Sequence, residues 1–409
     1  MSRTPIKASI LKALALLAGL AASLPAAAEV PGNRITIAVL TDLSGSNSVL
    51  SGQGSIEGAR LAVADAAAFL PGITIDLISS DMLPKADAAS ATARAWLAEG
   101  RVNVIADVPF SSAGLAVNDV VRNAPHTIYL ASGTGTSDLT GPACSPNTVH
   151  WTYDTYALSQ VVAKALVNQG LKSWFFITAD YAFGTALERD ATKTILASGG
   201  TVVGNIKNPP FNTDYSSHLL TAQSSNAQVL GLANASSDLI NLVKQAHEFG
   251  IAGSGKQLAA LLTFITDVRA LGLDTAQGLY LASPFYWDLN DKTRAFSARF
   301  AERMRGAKPT MIQAGMYSGI LHYLKAVKQA NTTDAPAVMA AMRAIPAEDD
   351  AFGRGTVRVD GRVIHDFYLF QVKAPAEAHG DWDVYKLIAT VPATEAFRPL
   401  SDGGCPLAR

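Results

Sequence analysis

The stretch "ITIAVLTDLSGSNSVLSGQGSIEGARLAVADAAAFL", residues 35–70, decides how the rest of the chain is read. It opens on a β-branched, apolar run (35–40) and passes through a loop of Thr, Asp, Ser, Gly and Asn. From Gly54 it carries apolar residues at helical spacing. Strand, hydroxyl-rich loop and amphipathic helix together make one unit of a parallel sheet, because parallel neighbours need a crossover, usually a helix.

The unit recurs. Strands are expected at 73–79, 102–108 and 127–132, with helices at 85–100, stopped by Gly100, and 111–123. After "HWTYDTYALS" (150–159) the series restarts, with strands at 173–180, 201–206, 227–234, 258–264 and 278–285 and helices between them. Two such series predict an α/β fold of two doubly wound parallel-sheet lobes. The region 291–344 reads as purely helical. In "GTVRVDGRVIHDFYLFQV" (355–372), Asp360-Gly361 signals a hairpin with a type I′ turn.

The first residues indicate export. Arg3, Lys7 and Lys12 precede the apolar run "ALALLAGLAASL" and a small-residue exit at Ala26–Ala28, the pattern of a signal peptide over 1–28. The run falls short of the roughly 20 residues a bilayer span needs. Without this leader the 33 basic residues become 30 against 34 acidic, a net charge of −4. A mildly acidic chain with no basic run has no electrostatic reason to bind nucleic acid. About 380 residues remain, too many for one core, so two domains are expected. Its two cysteines, Cys144 and Cys405, are a disulfide candidate in an oxidising compartment.

In open α/β sheets, ligands lie at the carboxyl ends of strands. Three such junctions are rich in hydroxyls and glycines: 41–54, 107–114 and 131–141. Ser111 or Ser112 is placed to cap the next helix, and a helix start suits a carboxylate. Catalytic motifs are missing from the sequence. In "SGQGSIEG", Glu57 stands where a dinucleotide fingerprint needs glycine, and there is no P-loop, nucleophile elbow or H-E-x-x-H. The seven histidines, at 126, 150, 218, 247, 322, 365 and 379, lack zinc spacing. Neither metal nor cofactor is expected, and a secreted hydrolase is disfavoured.

With "IAVLTDLSG", "FSSAG", "ASGTGTSDLTG", "TADYAFGTALERD" and "DYSSHLLTAQSSNAQVLGLANASSDLINLVKQAHEFGI" in this order, the chain resembles the periplasmic solute-binding proteins of ABC transporters. Within that class it is most similar to the branched-chain amino acid-binding (type I, Leu/Ile/Val-binding-like) family. The resemblance implies two lobes on three hinge strands, closing on a ligand like a clam. Lobe 1 would be 34–148 plus 286–345, lobe 2 would be 149–285 plus 346–400, and 401–409 a tail.

By this resemblance Ser111, Ser112, Ser132, Gly133 and Thr134 would hold a ligand carboxylate. Tyr181, Phe183, Asn234, Thr263 and Asp267 would face it from lobe 2, and Trp151, Tyr153 and Asp154 would lie at the first crossover. Tyr286 completes an aromatic set that favours a flat or apolar ligand body. The family's acidic partner for a ligand ammonium is missing near Thr263. Either Asp267 or Asp154 supplies that charge or the ligand has no amine. The implied function is that of a periplasmic, monomeric, non-enzymatic receptor that delivers a small carboxylate ligand to an ABC permease. A sensory receptor of the same fold is the alternative.

Overall fold

The computed structural model describes residues 30–408, so the expected leader lies outside the described residues. Lobe 1 begins with β1 (Arg34–Thr41), α1 (Gly52–Ala66), β2 (Thr74–Asp81), α2 (Ala86–Ala98), β3 (Val104–Asp107), α3 (Ser111–Val121), β4 (Ile128–Ala131) and β5 (Thr148–His150). Its five strands are all parallel in the order β2-β1-β3-β4-β5. The middle strands β3 and β4 are wholly buried apolar runs apart from Asp107, as expected when helices cover both faces.

The chain then enters lobe 2 with α4 (Thr155–Asn168), β6 (Ser173–Ala179), α5 (Ala182–Ala197), β7 (Thr201–Asn208), α6 (Ser216–Ser224), β8 (Val229–Ala233) and α7 (Ser236–Glu248). It continues with β9 (Gln257–Ala260), α8 (Ile265–Leu271), α9 (Leu273–Ala276) and β10 (Tyr280–Ser283). The chain next returns as three helices, α10 (Asp291–Arg303), α11 (Met311–Ala330) and α12 (Ala335–Ala344), and α11 packs along α1. Polar side chains start each of the three: Asn290, Thr310 and Asp334 accept from backbone amides of the first turn.

The strands β11 (Ala347–Asp349), β12 (Gly353–Val357) and β13 (Val363–Ile364) form a small antiparallel sheet. The last two, β14 (Phe367–Val372) and β15 (Tyr385–Val391), are followed by α13 (Ala393–Ala396). They extend the second sheet to seven strands in the order β15-β14-β10-β9-β8-β6-β7, pairing antiparallel at that edge. The fold is therefore the expected pair of doubly wound lobes.

The hairpin expectation needs correcting. Of positions 359–361 only Gly361 has a positive φ, 83°, whereas a type I′ turn needs two such residues in its centre. The cause is Asp360, whose carboxylate is engaged by Arg358 and by the Arg362 amide. The second strand ends after two residues, and the chain crosses to the larger sheet at Phe367. The strand expected over 258–264 also stops early, at Ala260. The remainder is the loop that enters α8.

Candidate functional site

The strand ends of the two lobes face each other across a narrow pocket of about 30 Å³, which in this closed arrangement leaves room for little more than a water or two. Lobe 1 contributes Asn47 and Leu50 after β1, Pro109, Phe110 and Ser111 at the β3–α3 junction, and Gly133 and Gly135 after β4. Across from them stand Tyr153 from the crossover, Tyr181 and Phe183 at the start of α5, Ala235, Leu262 and Phe264. None of these side chains carries a charge.

The β3–α3 junction is shaped by its backbone. Asp107 and Val108 both lie at positive φ, 83° and 58°, a costly conformation for a β-branched residue. Hydrogen bonds hold the turn: Val108 N–H donates to Leu40 O at 2.9 Å, and Thr134 Oγ1 donates to Val108 O at 2.8 Å. Phe110 thereby occupies the N-cap position and Ser111 the first helical position, so the expectation that a serine caps α3 fails. Ser111 Oγ instead accepts from the backbone amides of Gly135 and Thr136, at 3.3 and 3.1 Å. Its own proton has no acceptor among the described residues and remains free for a group in the cavity.

The lobes are closed on each other. The Phe110 and Tyr181 rings stack at 4.8 Å with 10° between planes, and Phe211 adds a third ring 6.4 Å from Phe110. Ser236 Oγ donates to Ser46 O at 2.8 Å, and Tyr153 O–H donates to Gly133 O at 3.0 Å. On another side, Arg189 on α5 pairs with Asp138 at 2.7 Å, and Ser137 donates to Asp190 at 2.6 Å. Burial pushes the Tyr153 and Tyr181 hydroxyls well above the usual phenol range, so both stay protonated.

Of the residues expected at the ligand, Ser111, Gly133, Tyr153, Tyr181 and Phe183 come together around this cavity. The others are placed elsewhere. Ser112 is half-buried on α3. Ser132 bonds Thr152 and Ile312 O, and Thr134 bonds Tyr129 and Val108 O. Trp151 donates to Ser318 Oγ at 2.9 Å within the hinge. Asn234 donates to Ile177 O at 2.9 Å. Thr263 and Tyr286 line a separate small chamber behind Phe264, and the Tyr286 hydroxyl bonds the backbone at 382–385.

Neither acidic candidate reaches the cavity. Asp154 accepts from Ala157 N at 2.7 Å as the cap of α4 and touches Arg362 Nε at 3.0 Å, and both side chains are buried. Burial, the largest single influence, would raise the Asp154 carboxyl, but the Arg362 guanidinium, His150, the Ala157 amide and Arg398 together outweigh it and hold the carboxyl below its ordinary value. Asp267 accepts from Phe264 N at 2.9 Å at the start of α8, and burial raises it to about 7.

The reading from sequence missed Asn47, Phe110 and Gly135, and gave Phe264 only as part of the loop 263–267. Asn47 and Gly135 lay inside flagged loops. Phe110 had a faint signal, an aromatic between Pro109 and Ser111 at a strand end. The two cysteines are joined: Cys144, before β5, and Cys405, in the tail, form a disulfide with Cα atoms 5.6 Å apart.

Two lobes with facing strand ends and a closed, uncharged cavity define a cleft-binding solute receptor. The chain belongs to the periplasmic binding protein family, whose model matches residues 34–379. A periplasmic binding protein of Burkholderia mallei is 42% identical, with 92% of this chain and 99% of that one covered and a TM-score of 0.88. A branched chain amino acid ABC transporter periplasmic ligand-binding protein of Burkholderia xenovorans is 34% identical over 92% and 100% of the two chains, TM-score 0.83. A more distant solute-binding protein of an ABC transporter from R. palustris, solved with 4-hydroxybenzoate, shares the fold at 21% identity. It covers 88% of this chain and 97% of its own, TM-score 0.79.

Proposed function

We propose that the chain is the periplasmic receptor of an ABC importer and that its ligand is a small monocarboxylate with an aromatic or apolar body and no ammonium group. The observation carrying this is the cavity wall, in which Phe110, Tyr153, Tyr181, Phe183 and Phe264 surround the free Ser111 hydroxyl with no charged side chain among the lining residues. The first amides of α3 favour a carboxylate beside Ser111. A buried ammonium would touch no carboxylate among the lining residues, since Asp154 and Asp267 serve the hinge and α8. Ligand contacts from both lobes favour the closed form, that differential affinity drives closure, and the closed form is the one presented to the permease. The reading is one of binding and release, without turnover.

A thermal-shift and calorimetric screen tests it. Benzoate and 4-hydroxybenzoate are expected to stabilise the protein and L-leucine is not. Strong stabilisation by leucine with none by either benzoate overturns the ligand class.

A further inference from the structure

Directly behind the cavity lies a carboxyl group that the binding scheme above does not use. Asp107 ends β3 and is fully buried. Its strained backbone turns the side chain inward, and a Cβ added to Gly133, a cavity-lining residue, would lie 2.7 Å from Asp107 Oδ1. One glycine therefore separates this carboxyl from the ligand space. Neither oxygen has a well-formed hydrogen bond, although the Thr41 and Ser55 hydroxyls lie beside it, themselves buried and unpartnered.

Among the described residues, no positive charge acts on Asp107. Asp107 is faced by Thr41 and Asp42 from β1 and its loop, Ser55 from α1, and Tyr129 and Tyr153 from the other side. The Asp42 carboxylate is held by the amides of Gly45 and Asn47 at 2.6 and 2.9 Å, and it opposes ionisation of Asp107. A ligand carboxylate at Ser111 would add a third negative group to this poorly screened region. Resting on the carboxylate reading above, we propose that Asp107 carries its proton whenever an anionic ligand is bound, so that ligand binding takes up a proton and favours a monoanion over a dianion. Burial, with Asp42 adding to it and the two hydroxyls opposing, raises this group to about 7, which leaves it partly ionised in the empty receptor at neutral pH. An ionised Asp107 so near a bound carboxylate would weaken binding on the order of tenfold to a hundredfold.

The test has two arms on the full chain. In the ligand-free protein, the stability of wild type relative to Asp107→Asn is followed from pH 5 to pH 8.5. Wild type is expected to lose stability against the variant as pH rises, because the folded state holds the proton longer than the unfolded one. A constant difference overturns the proposal. In the second arm, benzoate binding to wild type is measured by calorimetry in buffers of different ionisation enthalpy, which needs no variant. Uptake of a fraction of a proton, greatest between pH 7 and 8, with affinity falling as pH rises, is the expected result. Binding without proton uptake overturns the coupling and leaves the ligand class intact. If benzoate does not bind at any pH, the aromatic-acid reading falls, and the first arm still decides whether Asp107 titrates near neutrality.

Discussion

Arg362 is the side chain whose removal best tests how the first crossover is held. It is 1% exposed and donates to the carbonyls of His150 at 2.8 Å and Thr152 at 3.1 Å. It meets Asp154 at 3.0 Å and covers the Phe397 ring at 4.4 Å. Burial draws its guanidinium down to about 10, against the upward pull of Asp154. Arg362→Met keeps much of the stem and deletes the charge. It leaves Asp154 buried without its partner, which typically costs about 3–5 kcal/mol. Against a total stability of about 5–15 kcal/mol this is a large loss.

Asp154→Asn retains the helix cap, since Asn caps as well as Asp, but leaves Arg362 unpaired. The double variant should cost well under the sum of the two, with a coupling of about 2 kcal/mol. Urea unfolding at pH 7 measures all four proteins. A coupling below about 0.5 kcal/mol, or an Asp154→Asn protein that keeps its stability and loses benzoate affinity, refutes the hinge assignment and returns Asp154 to the ligand. The pH dependence has a fixed sign. Arg362 depresses the folded-state value of Asp154, so the pair's contribution is complete above the unfolded carboxyl value near about 4 and is lost as pH falls through the lower folded value.

Ser111→Ala should weaken benzoate binding about tenfold to a hundredfold, the range for losing a hydrogen bond to a charged group, while Ser112→Ala changes it little; calorimetry on both separates cavity from helix surface. Gly135→Ala would put a methyl 2.9 Å from the Phe183 ring and 3.1 Å from Tyr153, so affinity should fall while the empty protein still unfolds cooperatively in a thermal scan. The disulfide between Cys144 and Cys405 closes a span of 261 residues, and the chain-entropy model gives its loss as about 5 kcal/mol. Urea unfolding with and without reductant measures this, and thiol counting on the unfolded, unreduced chain should find no free thiol.

What the sequence disclosed and what it hid divide along a physical line. Strand and helix periodicity is local, so the two series and their order are visible in runs such as 35–40 and 102–108, as are the hydroxyl-rich junctions that end the strands. Which residues of a junction face the cavity depends on how one lobe settles on the other, and no local pattern records that. Phe110 is a cavity wall because Tyr181, on the opposite lobe, stacks on it. Ser112 is not, because α3 starts at Ser111 just after the Asp107–Val108 turn, and of the two serines it is Ser111 that faces the cavity. The polar aromatics of 150–159 looked like ligand groups because composition does not reveal partners. Asp154 is held by Arg362, and Trp151 by Ser318, both far along the chain. Those distant partners account for the density of polar groups at the crossover. Three chain passages meet there, and each buried donor or acceptor needs a mate. The same pairing keeps charge out of the cavity: Asp154 and Arg362 satisfy each other inside the hinge, and the ligand is left with hydroxyls, amides and rings. An uncharged cleft beside a hinge that pairs its own ions is therefore one arrangement seen from two sides, and Asp107, without a hydrogen-bond partner behind the cavity, is the group left to respond to a ligand's charge.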